Sequence, residues 1–262
     1  MKNILYLFLA VSIFACSDDD NSDTNDNNDN SSTNGLLVDT VQLSYLEMSN
    51  QELTQVEGTY SYNYDGNKLV SLDFSINGET GTTNYTYNDN NQFSAVYSWG
   101  GDYTEYEYDE LGRLTVYTYT DVNDYPPGNP SVSVSNFVYN QDGTVRTRYN
   151  NGNTEPTEIS TFDQNGNLIS TIFIDGSNNN ETRSYTYDNA NSPFKNMTGH
   201  HFAGSYYYGF PALFSGGNNA LTVENENNRY FYTYNDDNYP ISVNSPNGIY
   251  RYSNIQATIT YK

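Results

Sequence analysis

The chain predicts an all-β protein: an antiparallel up-and-down meander of about fourteen to sixteen strands, curled into a barrel or a strongly curved half-barrel with an internal insert. Three observations carry this reading. Aromatic residues two apart, followed by Asp or Asn and a tight turn, recur along most of the chain. Tyr is the dominant aromatic, 28 residues against a single Trp, and Tyr suits pleated, half-buried surfaces better than helices. Between the turns, apolar and polar residues alternate with the period of a strand.

The first 34 residues belong to none of this. Lys2 gives a short positive start, and Ile4 to Ala15 is an apolar run of secretory-signal length, too short for a comfortable membrane span. It ends in Ile13-Phe14-Ala15-Cys16, a small residue before the one cysteine of the chain, so an intrachain disulfide is excluded. From Ser17 to Asn34 nearly every residue is Asp, Asn, Ser or Thr, the composition of a disordered tether. The expected organisation is therefore a signal peptide over 1–15, a tether over 16–34 and a repeat-built β domain over 35–262. The Cys16 junction resembles the lipobox of bacterial lipoproteins, which implies lipid attachment at Cys16. Ser17-Asp18-Asp19-Asp20 resembles the surface-export signal of Bacteroidota lipoproteins, which implies an outer-membrane, lipid-anchored protein facing the cell exterior.

The repeat is clearest in Tyr106-Glu107-Tyr108-Asp109-Glu110-Leu111-Gly112-Arg113-Leu114. Tyr106 and Tyr108 point to one face of a strand, Asp109 can hold the turn through its side chain, and Gly112 can take the positive φ that closes it. Leu114 and Val116 are expected to resume alternation on the return strand. Tyr62-Asn63-Tyr64-Asp65, Tyr85-Thr86-Tyr87-Asn88, Phe137-Val138-Tyr139-Asn140, Phe162-Asp163, Tyr185-Thr186-Tyr187-Asp188 and Tyr232-Thr233-Tyr234-Asn235 are further copies. Asn77-Gly78, Gly100-Gly101, Asn151-Gly152 and Asp175-Gly176 stand where one hairpin should hand over to the next, and Pro126-Pro127-Gly128-Asn129-Pro130 can only be a loop. These units resemble the YD repeats of RHS-type bacterial surface and toxin-delivery proteins. The whole arrangement from Leu36 onward is similar to small Bacteroidota lipoproteins of unknown function with a porin-like β fold.

Tyr60, Tyr62 and Tyr64 should share one face, as should Val70, Leu72, Phe74 and Ile76, and Phe93, Ala95, Tyr97 and Trp99, while Ser, Asn, Thr and Asp fill the opposite faces. A flat sheet would leave that apolar face and two edges open; curling encloses both. The strands lack the sustained aliphatic alternation of a lipid-facing band, so a spanning barrel is the weaker alternative.

Asn191 to Asn228 breaks the period, and its large apolar groups favour a plug for the enclosed space. It also holds both histidines and a tyrosine run. His200, His201, Tyr206, Tyr207 and Tyr208, with Trp99, are therefore the candidate ligand-binding residues; no catalytic residue and no metal ligand is marked. A net charge of −22 argues against nucleic acid as a partner. No cofactor motif is present. The expectation is a non-enzymatic surface lipoprotein that binds a glycan or a protein partner through loops or an aromatic patch, the membrane being reached only through the lipid. The alternatives are a scaffold or shell in an envelope assembly and, less favoured, a hydrolase. Oligomeric state is not readable.

Overall fold

In the computed structural model of the chain, residues 35–49, 52–122, 130–149, 157–174, 180–199, 218–223, 228–246 and 252–262 are described. All lie within one compact unit, Asn34–Lys262. The signal and tether, and the hand-over turns at Asn151-Gly152, Asp175-Gly176 and Pro126–Pro127, lie outside the described residues.

The strands are β1 (Val38–Ser49), β2 (Glu52–Asp65), β3 (Lys68–Ile76), β4 (Glu79–Tyr87), β5 (Phe93–Tyr97), β6 (Tyr103–Tyr108), β7 (Leu114–Asp121), β8 (Ser131–Tyr139) and β9 (Thr144–Tyr149). They continue as β10 (Glu158–Phe162), β11 (Leu168–Phe173), β12 (Glu181–Tyr187), β13 (Ala220–Val223), β14 (Asn228–Arg229), β15 (Phe231–Tyr234), β16 (Pro240–Ser245) and β17 (Tyr252–Tyr261). Among the described residues there is no helix. Consecutive strands pair antiparallel, and β17 comes back to lie beside β1, with Ile259 opposite Val41 and Ala257 opposite Leu43. The meander thus forms a nearly closed barrel with one unsealed seam. β14 pairs with β13 and β15 with β16, and Tyr230 separates the two short strands, which count as one of sixteen when taken together. Among the described residues, the Tyr230 N–H donates to the Leu221 carbonyl (2.9 Å) and the Tyr232 hydroxyl to the Ala220 carbonyl (2.8 Å), which ties β13 to this last stretch. Closure leaves almost no strand edge open to a foreign strand.

Four of the repeat turns share one construction. In the Asp109 turn the side-chain Oδ1 accepts from the N–H groups of Leu111 (3.0 Å) and Arg113 (2.9 Å), while the Asp109 N–H donates to the Arg113 carbonyl (2.9 Å). Asn88, Asp163 and Asn235 hold the second and fourth following N–H groups in the same way. The third position after each is left-handed, occupied by Asn91, Gly112, Gly166 or Asn238.

After most of these turns the return strand carries a β-bulge. Tyr64 pairs with Leu69 but Asn63 with Ser71, which skips Val70; the same shift skips Ser94, Thr115, Ile169, Leu221 and Ile241. This corrects three alternation readings. Leu69, not Val70, joins Leu72 in the core, and Val70 is 38% exposed outside. Phe93 and Val96 face inward, while Ala95 and Tyr97 pair at outward positions. Leu114 faces in, and past the bulge Tyr117 rather than Val116 shares that face. One extra residue reverses the parity of everything that follows.

The interior is a single apolar core including Tyr60, Tyr62, Leu72, Tyr85, Phe93, Leu114, Val243, Ile255 and Ile259. Tyr hydroxyls at its margin find main-chain partners in the preceding hairpin: Tyr87 donates to the Leu69 carbonyl (3.1 Å), Tyr187 to Leu168 (3.0 Å) and Tyr261 to Pro240 (2.7 Å). Each acceptor is the residue just before a skipped one, where the bulge disturbs the ladder.

The interruption is spliced into the sixth repeat turn. The Asp188 N–H donates to the Asn219 carbonyl (3.0 Å), and Asp188 Oδ1 accepts from the Ala190 (3.0 Å) and Asn219 (3.1 Å) N–H groups. Of the described residues between Asn191 and Asn228, 191–199 cap the same end of the barrel, where the Thr198 N–H donates to the Asn67 carbonyl (2.9 Å), whereas Ala220–Val223, expected to belong to the break in the period, return to the wall as β13. Phe194 packs on Tyr62 with ring centroids 5.6 Å apart, and Met197 is buried beside it. Asn196 donates to the Leu36 carbonyl (2.9 Å) and the Tyr239 hydroxyl (2.8 Å). Residues 191–199 are therefore a plug.

Candidate functional site

The outward positions of the wall decide what it can touch. Thr40, Gln42, Ser44, Asn63, Ser71, Asp73, Thr82, Asn84, Thr86, Glu105 and Glu107 all sit there, many joined across strands. Thr40 and Thr260 hydroxyls meet at 2.7 Å, Thr86 and Ser94 at 2.8 Å, and Thr186 and Thr222 at 2.6 Å. A lipid-facing barrel has its apolar band outside; the described wall has its apolar side inside. No helix of the described residues is long and apolar enough to cross a membrane.

On this wall lies a cleft of about 930 Å³ across β16, β17, β1, β2 and the β3 end, lined by Gln42, Ser44, Gln55, Glu57, Thr59, Ser75, Asn77, Ser242, Asn244, Gln256 and Thr258. Closure creates it: Gln42 stands opposite both Thr59 on β2 and Thr258 on β17, and Ser242 opposite Thr258. One rim is the Asn77-Gly78 turn, both residues at positive φ as a two-residue hairpin turn requires. The Asn77 Oδ1 accepts the Glu57 N–H (3.0 Å), and the Asn77 N–H donates to the Glu57 carbonyl (2.9 Å). A smaller depression of about 340 Å³ continues it, sharing Thr59 and Ser75 and adding Ser61, Asp73, Thr80 and Thr82. The Asp73 carboxylate there is held by Asn63 (2.8 Å) and Thr82 (2.6 Å). Beyond it the outward rings of Tyr97 and Tyr103 lie 6.1 Å apart. Among the described residues the lining offers amide donors and acceptors and hydroxyls, with Glu57 the one charged side chain of the larger cleft and no cation. Such a surface suits a neutral, hydroxyl-rich or amide-rich ligand.

Trp99 is 60% exposed but is not at this cleft. Its ring covers the inward side of Gly81, where a Cβ would meet the indole at 2.4 Å, and stands edge-on to Phe74 at 6.0 Å and 88°. It packs over a strand glycine at the barrel rim. His200, His201, Tyr206, Tyr207, Tyr208 and Cys16 lie outside the described residues. No group of His, Cys, Asp and Glu that could hold a metal ion occurs among the described residues. Inside the barrel, Glu158 accepts from the Tyr149 (2.7 Å) and Ser160 (2.9 Å) hydroxyls. Sequence reasoning missed the cleft; its one available signal was the length of β1, β2 and β17.

No family model matches the chain, and no curated protein matches it. Among solved structures it is similar to a porin-like protein from Bacteroides uniformis, at 17% identity over 86% of this chain and 98% of that one, with a TM-score of 0.45. It is also similar to a porin-like protein from Bacteroides vulgatus, at 12% identity over 87% and 99%, TM-score 0.46. The Tc holotoxin pore of Photorhabdus luminescens matches at 19% identity over 74% of this chain and 11% of that one, TM-score 0.32. At such values the likeness assigns no activity.

Proposed function

We propose that the protein is a non-enzymatic binding protein of the outer cell surface, anchored through lipid at Cys16, that holds a neutral glycan in the β16–β3 cleft. The cleft carries the reading: amides of Gln42, Asn244 and Gln256 with hydroxyls of Thr59, Ser75 and Thr258 can pair with sugar hydroxyls. Binding rather than turnover fits a lining that, among the described residues, pairs its one carboxylate, Glu57, with no second acid and no histidine. The polar outer wall supports an anchor separate from the barrel.

Two measurements test it. A glycan array probed with the full chain should give hits that the Gln42→Ala/Gln256→Ala double variant loses by about tenfold, as expected for two hydrogen bonds. An array with no hit, or hits the variant retains, removes the cleft from the proposal. Labelled palmitate should enter the wild type but not Cys16→Ala; equal labelling removes the anchor.

A further inference from the structure

The outer wall changes character on the far side of the barrel from the cleft. One row crosses four strands as Val138, Arg146, Ile159 and Ile172, each opposite the next in register, and Arg148 stands beside it opposite Asn136. Val138 is 40% exposed. Arg146 is exposed; the Arg148 Nε is buried and, among the described residues, has no hydrogen-bond partner. Asp142 on the adjoining turn feels Arg146, but its carboxylate is already taken by the Thr144 N–H (3.0 Å) and hydroxyl (2.7 Å). Only ten Lys and Arg occur in a chain of net charge −22, so two guanidinia on one strand face among aliphatic side chains are a local reversal of its chemistry.

We propose that the outer face of β8–β11 docks an acidic segment of a partner protein in which carboxylates alternate with aliphatic residues. Arg146 and Arg148, two apart on one strand, present their planar donors to carboxylates with the same extended spacing. Val138, Ile159 and Ile172 supply dry contact between them. The closed ring offers no strand edge here, so the contact is made by side chains and not by strand addition. Dense polyanions are disfavoured because the field of the rest of the molecule repels them, whereas a few carboxylates meet mainly the local pair. A second copy would bring its own −22 and is disfavoured by the same field.

The test uses the full chain and a labelled synthetic peptide alternating Glu and Val, with a Gln-for-Glu control peptide. Saturable binding is expected that high salt weakens, that the control peptide lacks, and that Arg146→Gln/Arg148→Gln reduces by at least about tenfold. Val138→Asp, which places a carboxylate in the row, should reduce it similarly while the cleft variant Gln42→Ala/Gln256→Ala leaves it unchanged. Equal binding by the Arg double variant, equal binding of the control peptide, or tighter binding of heparin than of the Glu peptide would overturn the proposal. So would self-association in sedimentation that the Arg double variant abolishes, which would make a second copy the occupant.

Discussion

The turns at Asp109 and Asp188 open alike and close differently. In both, the carboxylate Oδ1 takes the second following N–H and a later one, and the Asp N–H returns to a carbonyl. At Asp109 the later residue is Arg113, four positions on; at Asp188 it is Asn219, across the whole insert. The second oxygens part as well. Asp109 Oδ2 meets the Arg113 guanidinium at 2.6 Å, while Asp188 Oδ2 takes the Asn219 amide (3.1 Å) and the Tyr234 hydroxyl. The turn is therefore a module defined by a few hydrogen-bonding positions, and chain can be fed into it if one residue restores the closing position. Loop closure costs rise only slowly with length, so a long insertion is tolerable where the clasp is rebuilt. The Asp188 clasp must then carry more than an ordinary turn, because it also seats the plug.

Replacing the clasp is the strongest way to break this comparison. Asp188→Ala strips partners from Ala190, Asn219 and Tyr234 at once and should cost about 3 kcal/mol or more in urea unfolding. Asp109→Ala loses a half-exposed turn and one ion pair, about 1–2 kcal/mol. Equal losses from the two would sink the idea that the spliced turn carries an extra burden.

The two turns should also fail at opposite ends of the pH scale. The hydrogen bond from Arg113 holds the Asp109 carboxyl below its usual range. Its contribution is therefore complete above the unfolded carboxylate pKa and lost as pH falls through the lower folded value. Burial first, and the Asp188 carboxylate second, push the Tyr234 hydroxyl up. Burial likewise pushes Tyr108 and Tyr119 up to about 12. A raised phenol contributes fully below the unfolded value near pH 10 and loses that contribution as pH rises toward the folded one. Ultraviolet titration should show these tyrosines ionising late and together with unfolding, and the fall of stability with rising alkaline pH should be shallower in Tyr234→Phe and unchanged in slope in Asp109→Ala. Tyrosines that ionise near pH 10 in a folded barrel would contradict it.

How much of this could be read in the chain follows from range. The turns were legible because Asp109 to Arg113 and its copies are complete within five residues, each type present for a local reason. The bulges were not, since the skipped residues include Val70, Ile169 and Ile241, apolar side chains that imitate a continuing alternation. The cleft was invisible for a different reason: Gln42 joins Asn244 and Gln256 only because β17 returns to β1, a pairing no local pattern announces. The seat of Trp99 was not legible either, because its ring fills a gap left by Gly81 on a different strand.

A finer test follows from the hydroxyls that tie one hairpin to the next. Tyr87→Phe and Tyr187→Phe should each cost about 1 kcal/mol, by leaving the Leu69 or Leu168 carbonyl without its donor, whereas Tyr97→Phe on the outer face should cost under about 0.5 kcal/mol. Similar values for all three would mean that the marginal hydroxyls are replaceable by water.

The smallest expected effect concerns the left-handed position of the module. Gly112 has φ +75°, and the equivalent positions at Asn91 and Asn238 have φ of 60° and 63°. Asn therefore already serves where Gly does, and Gly112→Asn should change stability by less than about 0.5 kcal/mol. The added Cβ would come 3.1 Å from Gln92 Nε2, the far end of a flexible side chain that can yield. Its hydrogen bond to the Gly112 carbonyl (2.6 Å) accounts for the little that would be lost. Gly112→Val puts a β-branched residue at the same φ and should cost about 1–2 kcal/mol or more. If Asn and Val cost the same, the position is sensitive to bulk beside Gln92 rather than to backbone conformation, and the turns at Asn91 and Asn238 would not be equivalents of the turn at Asp109.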